Sequence, residues 1–403
     1  MNREEFEQLN KPEARLVISK NIDADPLKFA LNYKSESTPA HLISTQIKYL
    51  QRAKNKLPSY YKAQCIIPPL SYEQSSSEAT AGLKNQKGTL CLDLTCGLGV
   101  DSFYFSKSFN QVISLEMNPV LADITRSNFG LLGASNIEVI NQRAEDFIAH
   151  YTGEKFDLVF VDPARRDDSQ GRVFLFEDCS PNLYEILPQV AQISKKLIVK
   201  ASPLFDNAEA WKRFPELASL TVVSVDNECK ELLLEFNFEQ TPNEQTEAIL
   251  LNRRGITSSY TFIKKTDLID HPTLQHQPIN YLLEPDVAFY KSRLNIELFN
   301  KYFSDLKLYY DQPDGYFFSD EIVKQEFPGR VFRIIEELDY QPKSLKKHLK
   351  EKGIKKANVS KRNFPIGVDE IRKSLNLADG GSVYLFFTKH RSGIAKVLIT
   401  ERC

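Results

Sequence analysis

Apolar residues change their spacing along this chain, and each change marks a new kind of element. Over residues 1–70, Leu16, Val17 and Ile18, then Leu27, Ala30 and Leu31, then Leu42 and Ile43 through Leu50, recur at helical intervals. Prolines at 12, 26, 39 and 58 punctuate this stretch, which predicts a string of short helices. Residues 71–88 are polar, but Ser75 and Glu78 form a capping-box pattern that predicts one short helix ahead of the next element. From residue 89 short apolar runs alternate with amphipathic segments. Strands are expected at 89–94, 111–116, 136–141, 157–162, 196–201, 221–225 and 232–238, and helices at 102–107, 119–132, 144–150, 181–193 and 207–213. That alternation predicts a parallel α/β sheet. The last two runs are too close for a crossover, so a turn near Asp226-Asn227 should close them as an antiparallel pair. Beyond residue 240 the order changes. Strand-like runs at 248–252 and 260–264 precede a proline-punctuated stretch, a helix over 286–303, and a β-α-β-α-β-β pattern over 330–400.

Composition narrows the class. The chain of 403 residues is 42% hydrophobic with a formal net charge of −1. It has no run near the roughly 18 apolar residues of a membrane span, and Met1 to Phe6 show no apolar leader segment. Six scattered cysteines without a C-x-x-C pair argue against a disulfide framework or zinc site, so no metal is expected and a reducing cytoplasm fits. The neutral total hides an asymmetry: from Arg330 onward 17 Lys+Arg face 8 Asp+Glu, while 35 face 45 before it. The C-terminal stretch is therefore a candidate polyanion-binding region, or else a solvated basic helix. Lys54, Lys56, Tyr60 and Tyr61 mix cations and aromatics, as single-stranded nucleic-acid sites and lysine-rich helix ends both do.

Candidate chemistry gathers at strand ends, where open parallel sheets bind ligands. The first strand ends at Asp93 and runs into Thr95-Cys96-Gly97-Leu98-Gly99, a bend that needs glycine. The pattern lacks the third glycine of a dinucleotide fingerprint, and a carboxylate at 93 suits a cationic ligand group better than a pyrophosphate. The second strand ends at Glu116, 23 residues after Asp93, a spacing suited to a ribose diol. The third leads to Arg143-Ala144-Glu145-Asp146, the fourth to Asp162-Pro163-Ala164-Arg165-Arg166, and the fifth to Lys200-Ala201-Ser202-Pro203. Cys179 and Cys229 stand in no recognisable nucleophile motif, and His271 and His276 flank a proline-containing loop that reads as surface.

The D-x-x-x-G-x-G stretch from Asp93 to Gly99 resembles the first motif of class I S-adenosylmethionine-dependent methyltransferases, and 92–166 is similar to trimethylguanosine synthase. The whole chain more closely resembles a bacterial family of methyltransferases with a C-terminal THUMP-like domain. Glu73 to Thr80, Asp162 to Arg166, Glu228-Cys229-Lys230 and 355–365 carry that match. The resemblance implies an α/β Rossmann-like seven-stranded sheet with a helical region at 1–70, a methyltransferase domain at 71–240, a small α+β connection at 241–329 and a basic α+β THUMP-like domain at 330–403.

It also implies S-adenosylmethionine as cofactor, held by Asp93, Thr95, Cys96, Gly97, Gly99, Asp101, Glu116, Met117, Ala144, Glu145, Asp146 and Asp162. Family members often place an adenine-binding aspartate where Arg143 stands here, so Glu145 or Asp146 would have to replace it. Asp162 and Pro163 resemble the catalytic motif of amino-group methyltransferases, with Arg165, Arg166, Lys200 and Ser202 on the acceptor side. The segment 73–80 would either lid the site or serve as a capped linker. THUMP domains bind RNA, so RNA is the expected partner, with Lys346, Lys347, Lys361 and Arg362 on its phosphates. The expected function is methylation of an RNA base nitrogen. A catalytically silent RNA-binding protein and a methyltransferase acting on a protein or small molecule are the alternatives.

Overall fold

The structure is a computed structural model that describes every residue except 35–37, 85, 166–175, 243, 253–254, 256, 264–278, 311, 313, 324 and 390–392. The chain groups into two units, Met1–Leu220 with Leu232–Asn243, and Thr221–Glu231 with Glu244–Cys403. The predicted helical region and the predicted methyltransferase region both fall mainly in the first.

In that unit the apolar positions of the N-terminal stretch fold into α1 (Arg3–Asn10), α2 (Pro12–Lys20), α3 (Pro26–Asn32), α4 (Ala40–Lys56) and α5 (Pro58–Lys62). Proline opens α2, α3 and α5, where its missing N–H costs nothing. Leu9, Ile18, Ile43, Ile47, Leu50 and Tyr60 are buried and share one core with Cys96, Leu98, Val100, Phe103 and Phe129. The helices thus back the glycine bend. The Tyr60 hydroxyl donates to the Leu98 carbonyl at 3.1 Å, and the Asn128 amide exchanges two 2.9 Å hydrogen bonds with the backbone of Ile66. Lys56 Nζ donates to the Tyr72 carbonyl at 2.6 Å, and Lys54 Nζ lies 5.8 Å from the Tyr61 ring centre, an arrangement within the helical layer itself.

Two short helices, α6 (Pro69–Gln74) and α7 (Glu78–Leu83), lead to the sheet. The cap of α7 is Ser77, which accepts the Thr80 N–H, and not Ser75. Glu78 is unavailable for a capping box because its buried carboxylate accepts the Ser59 N–H and O–H at 2.7 Å each and the Tyr104 hydroxyl at 3.0 Å.

The strands follow as β1 (Gly88–Asp93), β2 (Phe109–Leu115), β3 (Ile137–Ile140), β4 (Leu158–Val161), β5 (Lys196–Ala201), β6 (Leu217–Val225) and β7 (Glu228–Asn237). Helices α8 (Val100–Phe105), α9 (Pro119–Leu132), α10 (Ala144–His150), α11 (Leu183–Ile193) and α12 (Asn207–Arg213) connect them. β1 pairs in parallel with β2 on one side and β4 on the other, and β3 and β5 extend those flanks in parallel. β7 returns antiparallel to β5. The order of strands reverses at β1, so the crevice beyond its carboxyl end is the place for a ligand. Asp226 and Asn227 turn the β6–β7 hairpin with φ of 50° and 64°, where the predicted turn lies.

Among the described residues the sheet has nine strands in the order β9-β8-β6-β7-β5-β4-β1-β2-β3, two more than the seven expected. The additional pair, β8 (Gln245–Leu251) and β9 (Thr257–Ile263), belongs to the second unit, as does the tip of the β6–β7 hairpin. There Asn227 Oδ1 accepts the Val287 N–H at 2.9 Å. The helix expected over 286–303 is two helices, α13 (Val287–Ser292) and α14 (Asn295–Tyr302), because Arg293 takes a left-handed φ of 61°. The rest of the unit contains β10 (Tyr281–Pro285), β11 (Leu308–Tyr310), β12 (Phe317–Ser319), β13 (Gly329–Asp339), α15 (Pro342–Glu351), β14 (Asn358–Lys361), α16 (Val368–Leu375), β15 (Val383–Lys389) and β16 (Ala395–Arg402). Its strands form one sheet in the order β11-β12-β10-β13-β16-β15-β14. Leu345, Leu349, Ile371 and Leu375 of the two helices pack on Leu385, Val397 and Ile399.

Candidate functional site

The carboxyl ends of β1, β2 and β4 open on a cleft of about 610 Å³ within the first unit. Its floor is the glycine bend. Gly97 and Gly99 have φ of +55° and +83°, and a Cβ on Gly99 would meet the buried Phe129 ring at 2.5 Å and Thr125 Cγ2 at 2.8 Å. The bend is pinned from three sides: Thr125 Oγ1 donates to the Gly97 carbonyl at 2.8 Å, Glu116 Oε2 accepts the Gly97 N–H at 3.0 Å, and Thr95 Oγ1 accepts the Asp162 N–H at 2.7 Å. Glu116 Oε1 accepts the Asn118 N–H at 2.7 Å, so the β2 carboxylate has a fixed direction. Burial pushes its carboxyl up, while the N–H groups of Asn118, Gly97 and Met117 pull the other way.

Asp93 does not line the cleft; it lies beneath it. Its carboxylate accepts the Ser102 hydroxyl at 2.5 Å and the Thr95 N–H at 2.9 Å, and Ser114 donates in turn to Ser102 at 2.9 Å. Burial raises the Asp93 carboxyl to about 7 despite those hydrogen bonds. Asp93 therefore shapes the bend from below.

A chain of alternating charges runs along one wall. Lys84, whose side chain is fully buried, donates to Asp101 at 2.9 Å. Ser76 donates to the other Asp101 oxygen at 2.7 Å and accepts from Lys200 at 3.1 Å. Lys200 Nζ then reaches Asp162 Oδ2 at 2.5 Å. Burial pushes the Asp101 carboxyl up, but Lys84 and Lys200 outweigh it and hold the group below the usual carboxylate range. For Asp162 the balance falls the other way: burial raises its carboxyl more than Lys200 lowers it.

Of the residues the sequence proposes for the site, Thr95, Cys96, Gly97, Gly99, Asp101, Glu116, Met117, Ala144, Glu145, Asp162 and Arg165 line the cleft. Of the two carboxylates near Arg143, Glu145 lines it, whereas Asp146 is exposed and does not. Pro163 is buried and does not line the cleft, Ser202 accepts the Leu204 N–H at 3.2 Å, and Arg166, like His271 and His276, lies outside the described residues. In the second unit Lys346 and Lys347 are exposed, Lys361 Nζ donates to the Phe364 carbonyl at 2.9 Å, and the Arg362 guanidinium stacks 3.1 Å above the Tyr290 ring. The sequence reading passed over Gln142 and Leu121, which line the cleft, and Lys84, which nothing local distinguishes from a surface lysine. Gln74, Ser75 and Ser76 also line it, as expected if 73–80 covers the site.

A crystal structure from Porphyromonas gingivalis W83, provisionally described as a methyltransferase, superposes on the chain with a TM-score of 0.79 and 26% identity, covering 98% of this chain and 99% of that one. The THUMP domain-like family matches residues 329–402. This is a class I methyltransferase fold with a C-terminal THUMP-like domain. Curated relatives match parts of it. An uncharacterised RNA methyltransferase of Thermotoga maritima is 28% identical over 144 residues, 34% of this chain and 29% of its own length. A tRNA/tmRNA (uracil-C(5))-methyltransferase of Aliivibrio fischeri is 26% identical over 155 residues, 32% of this chain and 42% of its own. The chain thus spans less than half the length of these relatives. The cleft of this chain lies at the β1 switch point described above. Among the described residues no helix is long and apolar enough to cross a membrane.

Proposed function

We propose that this chain is an S-adenosylmethionine-dependent methyltransferase that modifies a base nitrogen of RNA. The observation that carries the reading is the single cleft on which the glycine bend, the β2 carboxylate Glu116 and the β4 carboxylate Asp162 all open. The residues fit an adenosyl ligand. Glu116, fixed by two backbone donors, would take the ribose hydroxyls. The bend at 95–99 would take the amino-acid end, and Met117, Leu121, Ala144 and Glu145 would surround the adenine. When bound, the cofactor supplies an electrophilic methyl group on a sulfonium. The chain's own task is positioning: a carboxylate that accepts an acceptor N–H directs that nitrogen's lone pair toward the reacting carbon.

RNA as acceptor is supported by the THUMP-like match and the basic balance of 330–403, and both curated relatives carry RNA in their names. Carbon-5 chemistry, named for the A. fischeri relative, requires an accessible thiolate. Cys96 lines this cleft but is buried, and burial drives its thiol well up; Cys91 and Cys179 are buried too. A nitrogen acceptor fits these residues better. Calorimetry with S-adenosylmethionine, followed by tritiated-methyl transfer to unmodified total RNA, tests the proposal. Binding followed by label in RNA is the expected outcome. Binding without transfer favours a silent RNA-binding protein, and label only in an RNA-free fraction favours a protein or small-molecule acceptor.

A further inference from the structure

The strand-four acid of this cleft is shared with a cation. Lys200, from the end of β5, puts its ammonium against Asp162 Oδ2 at 2.5 Å and against Ser76 Oγ at 3.1 Å, and both of those side chains line the cleft. The pair is not an incidental surface contact. The Lys200 side chain is 12% exposed. Its position is fixed through Ser76 by Asp101, which is itself held by the fully buried Lys84. Two lysines and two aspartates thus alternate along the wall, with charges that balance. An acid serving only an exocyclic amine needs acceptor capacity alone, and a strong cation on one of its two oxygens takes up part of that capacity. A carboxylate and an ammonium held side by side instead present an acceptor next to a donor. Their complement is an edge with a donor N–H next to an acceptor carbonyl.

We infer that the acceptor is a lactam ring nitrogen of an RNA base, the N–H adjoining a carbonyl in guanine N1 or uracil N3, with Asp162 on the N–H and Lys200 on the carbonyl. This inference rests on the methyltransferase reading above. A lactam nitrogen has no free lone pair in the plane until its proton leaves, and as it leaves negative charge gathers on the neighbouring oxygen. Lys200 is placed to hold that charge, and Asp162 Oδ1, the oxygen not bound to Lys200, is placed to take the proton. The step balances. The N–H bond breaks and its proton passes to the Asp162 carboxylate; the freed electron pair forms the N–CH3 bond; the donor's carbon–sulfur bond breaks and leaves a neutral thioether. Lys200 keeps its charge throughout. Ser76, Asp101 and Lys84 act as positioning residues, since their contacts with one another and with Lys200 fix where its ammonium lies.

Two measurements test this, one without any methyl donor. Equilibrium dialysis of GMP, UMP, AMP and CMP against the donor-free full chain should show preference for GMP or UMP, and which of the two binds identifies the base. That preference should vanish in K200M and persist in K200R. With donor and unmodified total RNA, nucleoside mass spectrometry should place the methyl on guanine N1 or uracil N3. K200M should lower kcat about 100-fold near neutral pH, with activity recovering as pH rises because the base then ionises without help. S76A should shift the same pH profile in the same direction by less, whereas a merely structural loss would scale activity equally at every pH. A methyl on an exocyclic amine, a ring carbon or a ribose overturns the lactam assignment and leaves the methyltransferase reading standing. So does preference for AMP or CMP, or a K200M pH profile parallel to wild type. Donor binding without any transfer to RNA overturns both.

Discussion

The two glycines of the bend look alike in sequence and differ in what surrounds them. Both have positive φ, but Gly97 would point a Cβ into open space, with only the Thr95 carbonyl at 4.0 Å, whereas Gly99 would drive one into Phe129 and Thr125. Backbone strain alone makes G97A cost about 1–2 kcal/mol. G99A adds overpacking against residues with no room to shift and should cost roughly 3 kcal/mol or more; urea melts of the two variants compare them directly. Asp93 gives the second expectation at this scale. Its carboxyl is raised to about 7 in the fold, against about 3.9 in an unfolded chain. Between those values the folded state binds more protons, so cofactor-free stability falls as pH climbs from about 4 to 7 and levels off above. D93N keeps an acceptor for Thr95 and should flatten that slope in melts taken across the range. The bend and Glu116 were readable from the sequence because their chemistry is packed into a few contiguous residues. Lys200 was also named, from its place at a strand end, but its linkage through Ser76 to Asp101 and Lys84 was not legible, because these residues stand as much as 124 residues apart and meet only when folded.

Elements with strong local punctuation were read to the residue. Helix α9 runs over Pro119–Leu132 because Asn118 caps it, proline opens it and Gly133 closes it at a φ of 71°. β5 is bounded as predicted, with Leu197, Ile198 and Val199 buried at its centre. Failures came where tertiary partners overruled local signals. Arg293 breaks the α13–α14 run in a left-handed conformation with no glycine to announce it. Glu78, three residues after Ser75, serves Ser59 and Tyr104 instead of a cap. That second case makes a prediction about how α5, α7 and α8 are joined. E78A removes an acceptor from three donors at once and should destabilise the protein by roughly 3 kcal/mol, whereas Y104F removes one bond and should cost about 1 kcal/mol. Chemical denaturation separates the two, and E78A should also weaken S-adenosylmethionine binding, because α7 adjoins the cleft-lining segment at 74–76.

Across the whole molecule the charge is divided by sequence, acidic before Arg330 and basic after it. Lys343, Lys346, Lys347 and Lys350 stand exposed along α15, where Lys347 meets Glu351 at 3.8 Å. If these contact phosphate, K346E with K347E should reduce the slope of log affinity for RNA against log salt by about 1.5. Filter binding at several salt concentrations measures the slope, and cofactor affinity should not move. An unchanged slope would place the RNA on another surface.

Strand β13 sets a practical boundary. The THUMP-like match begins at Gly329, yet β13 pairs along one side with β10, Leu282 opposite Phe332 and Tyr281 opposite Arg333. The buried Phe332 also packs with Leu282, Tyr309 and Phe318. Excising 329–403 as a stand-alone module would leave the N-terminal half of an eleven-residue strand as a raw edge, with an aromatic side chain in water. Such a fragment should self-associate by light scattering. One that starts before Tyr281 retains its flanking strands and should remain far more monodisperse.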